Sequence, residues 1–346
     1  MNLIFKTVIA FLSIVILSAS YAGENTFYVL RHHTSSQSSS LKNHYHSIGM
    51  IISQAYQVDQ NGKVWGHIDP DVADFVKNHG IKLMVMVTNV GFDKERAHQF
   101  LIRTAAQQRA IQSIISACNQ NHYYGVQFDF EMIPLNDKKA LTRFLTTAAA
   151  ELHKKGFIVS FAVAPLVSDN PQPSEFLKRS YAIWEGAYDL KALGESADFL
   201  TIMTYDQHTH GTTPGPTASF PWAEQAIKHT LKFVSSQKIS LGIASYSSYW
   251  YTGTSFGSPG GKLTLRMREI DYSTVKSLLQ KNHVKLRWDE MAKINYAAYE
   301  HHWLDEYIFV ENAKSLQAKL KLVKKYHLRG VSVFRLGIED PKIWET

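Results

Sequence analysis

Two carboxylates stand two positions apart where residues 124 to 131 read YGVQFDFE, at Asp129 and Glu131. The apolar run around them alternates as a β-strand does, with successive side chains on opposite faces. Gly125, Gln127, Asp129 and Glu131 therefore share one face, and Val126, Phe128, Phe130 and Met132 share the other. Acids held side by side repel, and such a pair keeps one carboxyl protonated near neutral pH, as general acid-base chemistry needs. A solvent-facing strand explains the same alternation without chemistry, so the pair alone leaves both readings open. Other reactive residue types are placed less well. Cys118, the single cysteine, lies on the apolar side of a helical stretch with no basic neighbour in sequence, which suits packing better than nucleophilic attack. His32-His33, His208 with His210, and His301-His302 lack the helical i, i+4 spacing and the accompanying Cys or Asp of a metal site, so no metal and no cofactor is expected.

The elements that must carry these residues alternate between strand-like and helical stretches, the layout of a parallel β/α fold. Eight strands are expected, over Thr26 to Leu30, His46 to Ile52, Lys82 to Val87, Gly125 to Phe130, Phe157 to Val163, Phe199 to Thr204, Ile239 to Ala244 and Gly330 to Phe334. Eight parallel strands followed by helices close into a single (β/α)8 TIM barrel, whose reactive groups gather at the C-terminal ends of the strands. Glu131 then ends the fourth strand, MTYD (203–206) the sixth and FRLG (334–337) the eighth. Asn136 is expected to cap a helix that Gly156 terminates, and Asn312 a helix with a basic last turn at Lys324-Lys325. Residues 31–44 are polar and Ser-rich, the composition of a mobile loop. Residues 245–310 exceed what one connecting helix needs and hold Tyr249, Trp250, Tyr251, Trp288, Tyr296, Tyr299, Trp303 and Tyr307. They read as a small insertion walling the barrel mouth, its aromatics either a private core or platforms for sugar rings.

The first residues have the layout of a secretory signal, with Lys6, an apolar run from Val8 to Leu17, and Ser20 and Ala22 at the small positions of a cleavage site. Residues 1–22 are thus expected to be removed and residues 23–346 to form the barrel in a periplasm or outside the cell, with no membrane anchor after cleavage; an uncleaved anchor is the alternative. The net charge of +7 falls to +6 with the loss of Lys6. The excess is spread along the chain, which suits an anionic envelope polymer and gives no cluster for nucleic acid.

Four motifs in order carry a resemblance that spans nearly the whole of residues 23–346: GVQFDFE, MTYDQHTHGTTPGPTASFPW, LGIASY and RGVSVFRLGIEDP. Together they resemble glycoside hydrolase family 18, and most nearly its branch of bacterial spore-cortex and cell-wall glycosidases. The resemblance implies hydrolysis of β-linked N-acetylglucosamine in peptidoglycan or chitin-type oligomers, retaining and substrate-assisted, by a monomer. It implies that Glu131 is the general acid and base, that Asp129 accepts the acetamido N–H, and that the Tyr205 hydroxyl holds the acetamido oxygen. Gln127, Asp206, Phe334, Asn89, Tyr246 and Trp250 are the implied substrate contacts. Tyr124 and Gln127 stand where the fuller family motif has aspartates, so Asp129 loses the acid beneath it; Gln127 is expected to hydrogen-bond Asp129 and leave it a lower pKa than a three-aspartate stack would. Phe334 replaces a customary tryptophan under the cleaved sugar. A barrel of the same family that binds glycans without cutting them is the alternative, against which the retention of Glu131, Asp129 and Tyr205 argues.

Overall fold

The computed structural model describes residues 23–31, 34–171, 173–253 and 264–345. The signal-like residues 1–22 and His32-His33 lie outside them. In chain order the strands are β1 (Glu24–Leu30), β2 (Met50–Val58), β3 (Val64–Gly66), β4 (Lys82–Asn89), β5 (Gly125–Asp129), β6 (Ile158–Val163), β7 (Phe199–Ile202) and β8 (Ile239–Ala244), then β9 (Ser247–Gly253), β10 (Thr264–Ile270), β11 (Arg287–Asp289), β12 (Ile294–His301), β13 (Leu304–Val310) and β14 (Gly330–Phe334). Eight of them pair in parallel in the order β1-β14-β8-β7-β6-β5-β4-β2, and β1 also pairs with β2, so the sheet closes on itself as a (β/α)8 TIM barrel. β3 adds antiparallel to the far end of β2.

Strand periodicity sorts the side chains into two cores. Val126, Phe128 and Phe130 point outward into the apolar layer between strands and helices, where they meet Phe100, Leu141 and Phe144. Inward, Tyr28, Met50, Ile52, Met84, Met86 and Phe199 fill the barrel's lower interior. Ala162, Met203, Tyr205, Ala244 and Tyr246 fill its mouth, against Phe334. Gly125 has to be glycine because a Cβ there would lie 2.2 Å from the Ile158 carbonyl oxygen of the neighbouring strand.

Three local expectations give way. β2 runs from Met50 to Val58, not from His46 to Ile52, because Tyr45–Ser47 form a 3-10 turn and the pairing with β1 begins at Met50 opposite Thr26. The Ser-rich stretch is a helix, Ser35–His44, whose first turn is closed by reciprocal hydrogen bonds between Thr34 and Gln37 and which is held to the barrel by buried Leu41 and a Ser40–Glu339 hydrogen bond. Asn136 caps nothing: Leu135–Asp137 make a 3-10 turn and the helix is Lys138–His153. The Asp137 carboxylate that precedes this helix is taken by His98 Nδ1 at 2.8 Å.

Between β8 and β14 the chain builds a five-stranded antiparallel sheet, ordered β10-β9-β13-β12-β11, with the helix Tyr272–Lys281 packed on it. Tyr249 and Tyr299 pack, partly buried, against the core of this subunit of the fold. Asn312 caps the helix Ala313–Tyr326 as the sequence suggests, with its side chain accepting from Ser315 N–H. On that helix Lys319 and, eight residues earlier and just ahead of the Asn312 cap, Glu311 are 2% and 3% exposed and 2.5 Å apart, and Ser315 Oγ donates to the same carboxylate. Glu311 N–H in turn donates to Ser247 Oγ at the root of the antiparallel sheet, so the pair pins insertion, helix and barrel together. Breaking a buried pair strands a charge, which costs about 3–5 kcal/mol. Lys319→Ala is therefore expected to lower unfolding stability by about that amount in urea titration, whereas Lys319→Met with Glu311→Leu should recover most of it; an unchanged midpoint for the single variant would contradict the assignment.

Candidate active site

Below the mouth, the inward side chains of six strands form one polar layer. Tyr28 donates its hydroxyl proton to Gln127 Oε1 at 2.8 Å, and Gln127 Nε2 donates to Ser160 Oγ (3.0 Å) and Thr201 Oγ1 (3.2 Å). Ser332 bonds Thr201 (3.1 Å) and Ser240 (2.7 Å) and completes the ring. Gln127 is fully buried and its amide is committed to these partners. The expected Gln127 to Asp129 hydrogen bond is absent from this arrangement, since both ends of the amide are already occupied. Gln127 therefore supports the floor of the site and does not face a substrate.

Asp129, at the end of β5, is 5% exposed, and its Oδ1 is buried with no hydrogen-bond partner among the described residues. Burial drives its carboxyl well above the ordinary range and the negative charge of Glu131 pushes it further. Glu131 lies just past the strand. Asn89, at the end of β4, clamps its backbone, accepting from Glu131 N–H and donating to Glu131 C=O, both at 3.0 Å. Asn89 is thus a support for the acid, with both ends of its amide engaged on the Glu131 backbone. The Glu131 carboxylate accepts the Trp184 indole N–H at Oε2 (2.9 Å). Burial raises the Glu131 pKa, Trp184 opposes this by bonding the ionised form, and Asp206 adds to the rise.

The sixth barrel strand, β7, ends at Ile202, so Met203, Tyr205 and Asp206 come from the turn beyond it. The Tyr205 ring stacks on Phe334 (centroids 5.8 Å apart, 24° between planes), and Tyr246 meets both rings edge-on. Burial, aided by the surrounding carboxylates, raises the Tyr205 and Tyr246 hydroxyl pKa values well above normal, so both remain donors. Tyr246 donates to Asp206 Oδ1 at 2.5 Å, partly offsetting the burial that raises Asp206. Met132 and Asp206, each next to a site residue, adopt left-handed backbone at φ 55° and 60°, a strain of about 1–3 kcal/mol apiece that the surrounding packing must hold. Two recesses meet at the Tyr246–Asp206 contact. One, of about 550 Å³, is lined by Glu131, Trp184, Asp206 and Trp222. The other, of about 320 Å³, is lined by Tyr246, Glu269, Arg268 and Arg335.

The structure thus brings together Asp129, Glu131, Tyr205, Asp206, Tyr246 and Phe334, places Asn89 and Gln127 behind them, and leaves Trp250 out. Trp250 is 1% exposed, with its indole N–H on the Gly215 carbonyl, and seals the insertion against the barrel rather than offering a face to a sugar. Sequence reasoning missed Tyr28, which reads as one more apolar strand residue, and Tyr188, whose hydroxyl donates to the Phe130 carbonyl at 2.8 Å. It also missed Trp184, in the π-helical turn Tyr181–Glu185, and Trp222, in the first turn of the helix Phe220–Thr230. Chemically, the constellation offers two buried carboxyls with raised pKa values, one of them with an open acceptor, and a phenol donor around one opening.

A raised folded-state pKa means that the native state holds its proton more tightly than the unfolded chain. That stabilisation is complete below the unfolded carboxyl value, about 3.9, and is lost as pH rises through the folded one. Asp129→Asn removes the penalty. The variant is expected to unfold at higher temperature than the parent at pH 7 to 8, with the gap closing as pH falls toward about 4; a gap independent of pH would contradict the burial argument.

Comparison with known proteins agrees with this geometry. The family model described as glycosyl hydrolases family 18 matches residues 24–339. A glycosylase of Bacillus subtilis, YvbX, is 26% identical over 311 residues, covering 87% of this chain and 85% of the relative. The cortical fragment-lytic enzyme of the same organism is 25% identical over 295 residues, covering 84% of this chain but 65% of the relative. Among solved structures, a chitinase from Chromobacterium violaceum superposes with a TM-score of 0.81 at 24% identity, covering 94% of this chain and 97% of that one. The spore cortex-lytic enzyme SleL of Bacillus cereus does so at 0.81 and 21%, covering 93% and 73%. Barrel, strand-end residues and family model converge from Glu24 to Glu339: the chain belongs to the glycosyl hydrolases family 18 and is a glycosidase.

Proposed function

We propose that this glycosidase works in a periplasm or outside the cell and cuts β-linked N-acetylglucosamine in peptidoglycan by a retaining reaction whose nucleophile belongs to the substrate. The observation that carries the reading is the buried, unpartnered Oδ1 of Asp129 beside Glu131. An open acceptor in a buried site is matched by a donor that arrives with the ligand, and the N–H of a 2-acetamido group fits that role.

In the reaction, Glu131 gives its proton to the glycosidic oxygen as the C1–O bond breaks, and the acetamido carbonyl oxygen bonds C1 from the opposite face. Asp129 accepts the acetamido N–H and faces the positive charge of the resulting oxazolinium. Tyr205, held as a donor, orients the carbonyl oxygen. Water then attacks C1, Glu131 takes its proton back, and ring opening restores the acetamide with the original anomeric configuration. A nucleophile already fixed by the same sugar can contribute on the order of 7–11 kcal/mol of barrier reduction. Gln127 is an amide and cannot store a proton, so Asp129 and Glu131 have only one another: activity requires one proton over the two, carried by Glu131. Phe334 offers its ring to the cleaved sugar across the Tyr205 stack.

Two features favour peptidoglycan over chitin. The net charge, +7 for the whole sequence and +6 without Lys6, suits a polymer bearing lactyl and peptide carboxylates, and one relative is a cortical fragment-lytic enzyme. A single proton shared by two raised carboxyls predicts a bell-shaped kcat/KM profile whose acid limb is displaced above the usual carboxylate range. Glu131→Gln is expected to lower kcat on purified sacculi by about 10²–10⁴ while glycan binding persists. Mass spectrometry of the products should show reducing N-acetylglucosamine ends. Turnover of chitooligosaccharides alone would contradict the wall reading, and binding without any reducing ends from the parent protein would favour the non-cutting barrel.

A further inference from the structure

Among the described residues the Glu131 carboxylate has one hydrogen-bond partner, and it comes from a segment far off in sequence. Trp184 Nε1 donates to Glu131 Oε2 at 2.9 Å across a separation of 53 residues. Trp184 is half-buried and sits inside a five-residue π-helical turn, Tyr181–Glu185, which follows the helix Glu175–Ser180. Insertions of this kind are rare and are kept where they aim a side chain. Three contacts hold this one: Ser180 Oγ donates to the Glu185 carboxylate at 2.7 Å, Tyr181 donates its hydroxyl proton to the Asp169 carbonyl at 2.7 Å, and Gly186 admits the turn against Leu135. A Cβ at Gly186 would fall 2.7 Å from the Tyr181 ring and 3.0 Å from Leu135 Cδ1. Leu135 lies four residues after Glu131, so the turn that carries the indole is seated on the segment that carries the acid.

We propose that Trp184 is a positioning residue for the general acid: its indole N–H fixes Oε2 of Glu131, turns Oε1 toward the leaving oxygen, and stabilises the carboxylate left once the proton has gone. This rests on the glycosidase reading of Glu131 given above. The direction of the effect follows from simple chemistry. An N–H donor bonds an ionised carboxylate more strongly than a protonated one, so the contact grows as the proton transfers and acts more in the transition state than in the ground state. It also offsets the burial that would otherwise make Glu131 a reluctant acid. Trp184 lines the recess of about 550 Å³ with Glu131, Phe176, Leu177, Ile183 and Trp222, so the same wall that would face a leaving-group sugar aims the acid.

Removing the donor should therefore harm only the step that needs a proton delivered. The test compares Trp184→Phe and Trp184→His with the parent and with Glu131→Gln on two substrates: a chitooligosaccharide, whose leaving sugar needs protonation, and a 2,4-dinitrophenyl chitobioside, whose leaving group does not. With Trp184→Phe, kcat on the oligosaccharide is expected to fall roughly tenfold or more, as loss of a hydrogen bond to a charged group implies, while release of dinitrophenolate stays within about twofold. The alkaline limb of kcat/KM should move to higher pH, because the acid without its donor holds its proton longer. Trp184→His, which keeps a ring N–H, should restore part of the oligosaccharide rate. Equal losses on both substrates, or no loss and an unmoved alkaline limb, would overturn the proposal. If instead Glu131→Gln keeps its rate on the oligosaccharide, the glycosidase reading of Glu131 fails, a result separate from any behaviour of Trp184. Matched unfolding temperatures for the variants and parent identify a rate loss as local to the site.

Discussion

The site depends on one unfavourable fact: two carboxyls, Asp129 and Glu131, are buried together in the barrel mouth with no cation paired to either among the described residues. Burial alone raises both, and each remaining group is arranged around the consequence that only one can be ionised cheaply. Asn89 spends both ends of its amide on the Glu131 backbone, and Gln127 spends both of its own on Tyr28, Ser160 and Thr201. Neither relieves Asp129. The open acceptor that results is a cost to the folded state and an asset only when a donor arrives.

Such a cost has to be met by structure elsewhere. The barrel supplies it through continuous strand pairing and an interior packed in layers, apolar below, polar in the middle, aromatic at the mouth. The insertion adds the Glu311–Lys319 pair, which fastens it to the last helix and so to β14, the strand that delivers Phe334. Left-handed backbone at Met132 and Asp206 belongs to the same economy: both follow residues whose direction matters, and packing on either side holds them there. The chemistry is local, but its rigidity is drawn from the whole sheet.

Much of this was legible in the residues. Alternation placed Asp129 and Gln127 on the inner face, strand counting closed the barrel, and the motifs FDFE, MTYD and FRLG fell at three strand ends. What escaped reading did so for physical reasons. The helix at Ser35–His44 forms against serine's weak propensity because a capping box and one buried leucine suffice when a barrel lies beneath. Gln127 faces Asp129 in any strand drawing, but Tyr28, 99 residues earlier, reaches its carbonyl. Trp250 reads in sequence as a substrate contact, but only the fold sets its indole N–H on the Gly215 carbonyl across the seam. Trp184 lies in a long connection where neither period operates, and only the fold brings it to Glu131.

The central claim is that the acetamido oxygen of the substrate, not a side chain, forms the first bond to C1. Its most direct test is a series of chromogenic chitobiosides whose reacting N-acetyl group carries zero, one, two or three fluorines, each of which makes the carbonyl oxygen a weaker nucleophile. The account predicts that kcat/KM falls steeply and progressively along the series, whereas a rate that stays level as the fluorines are added would contradict it.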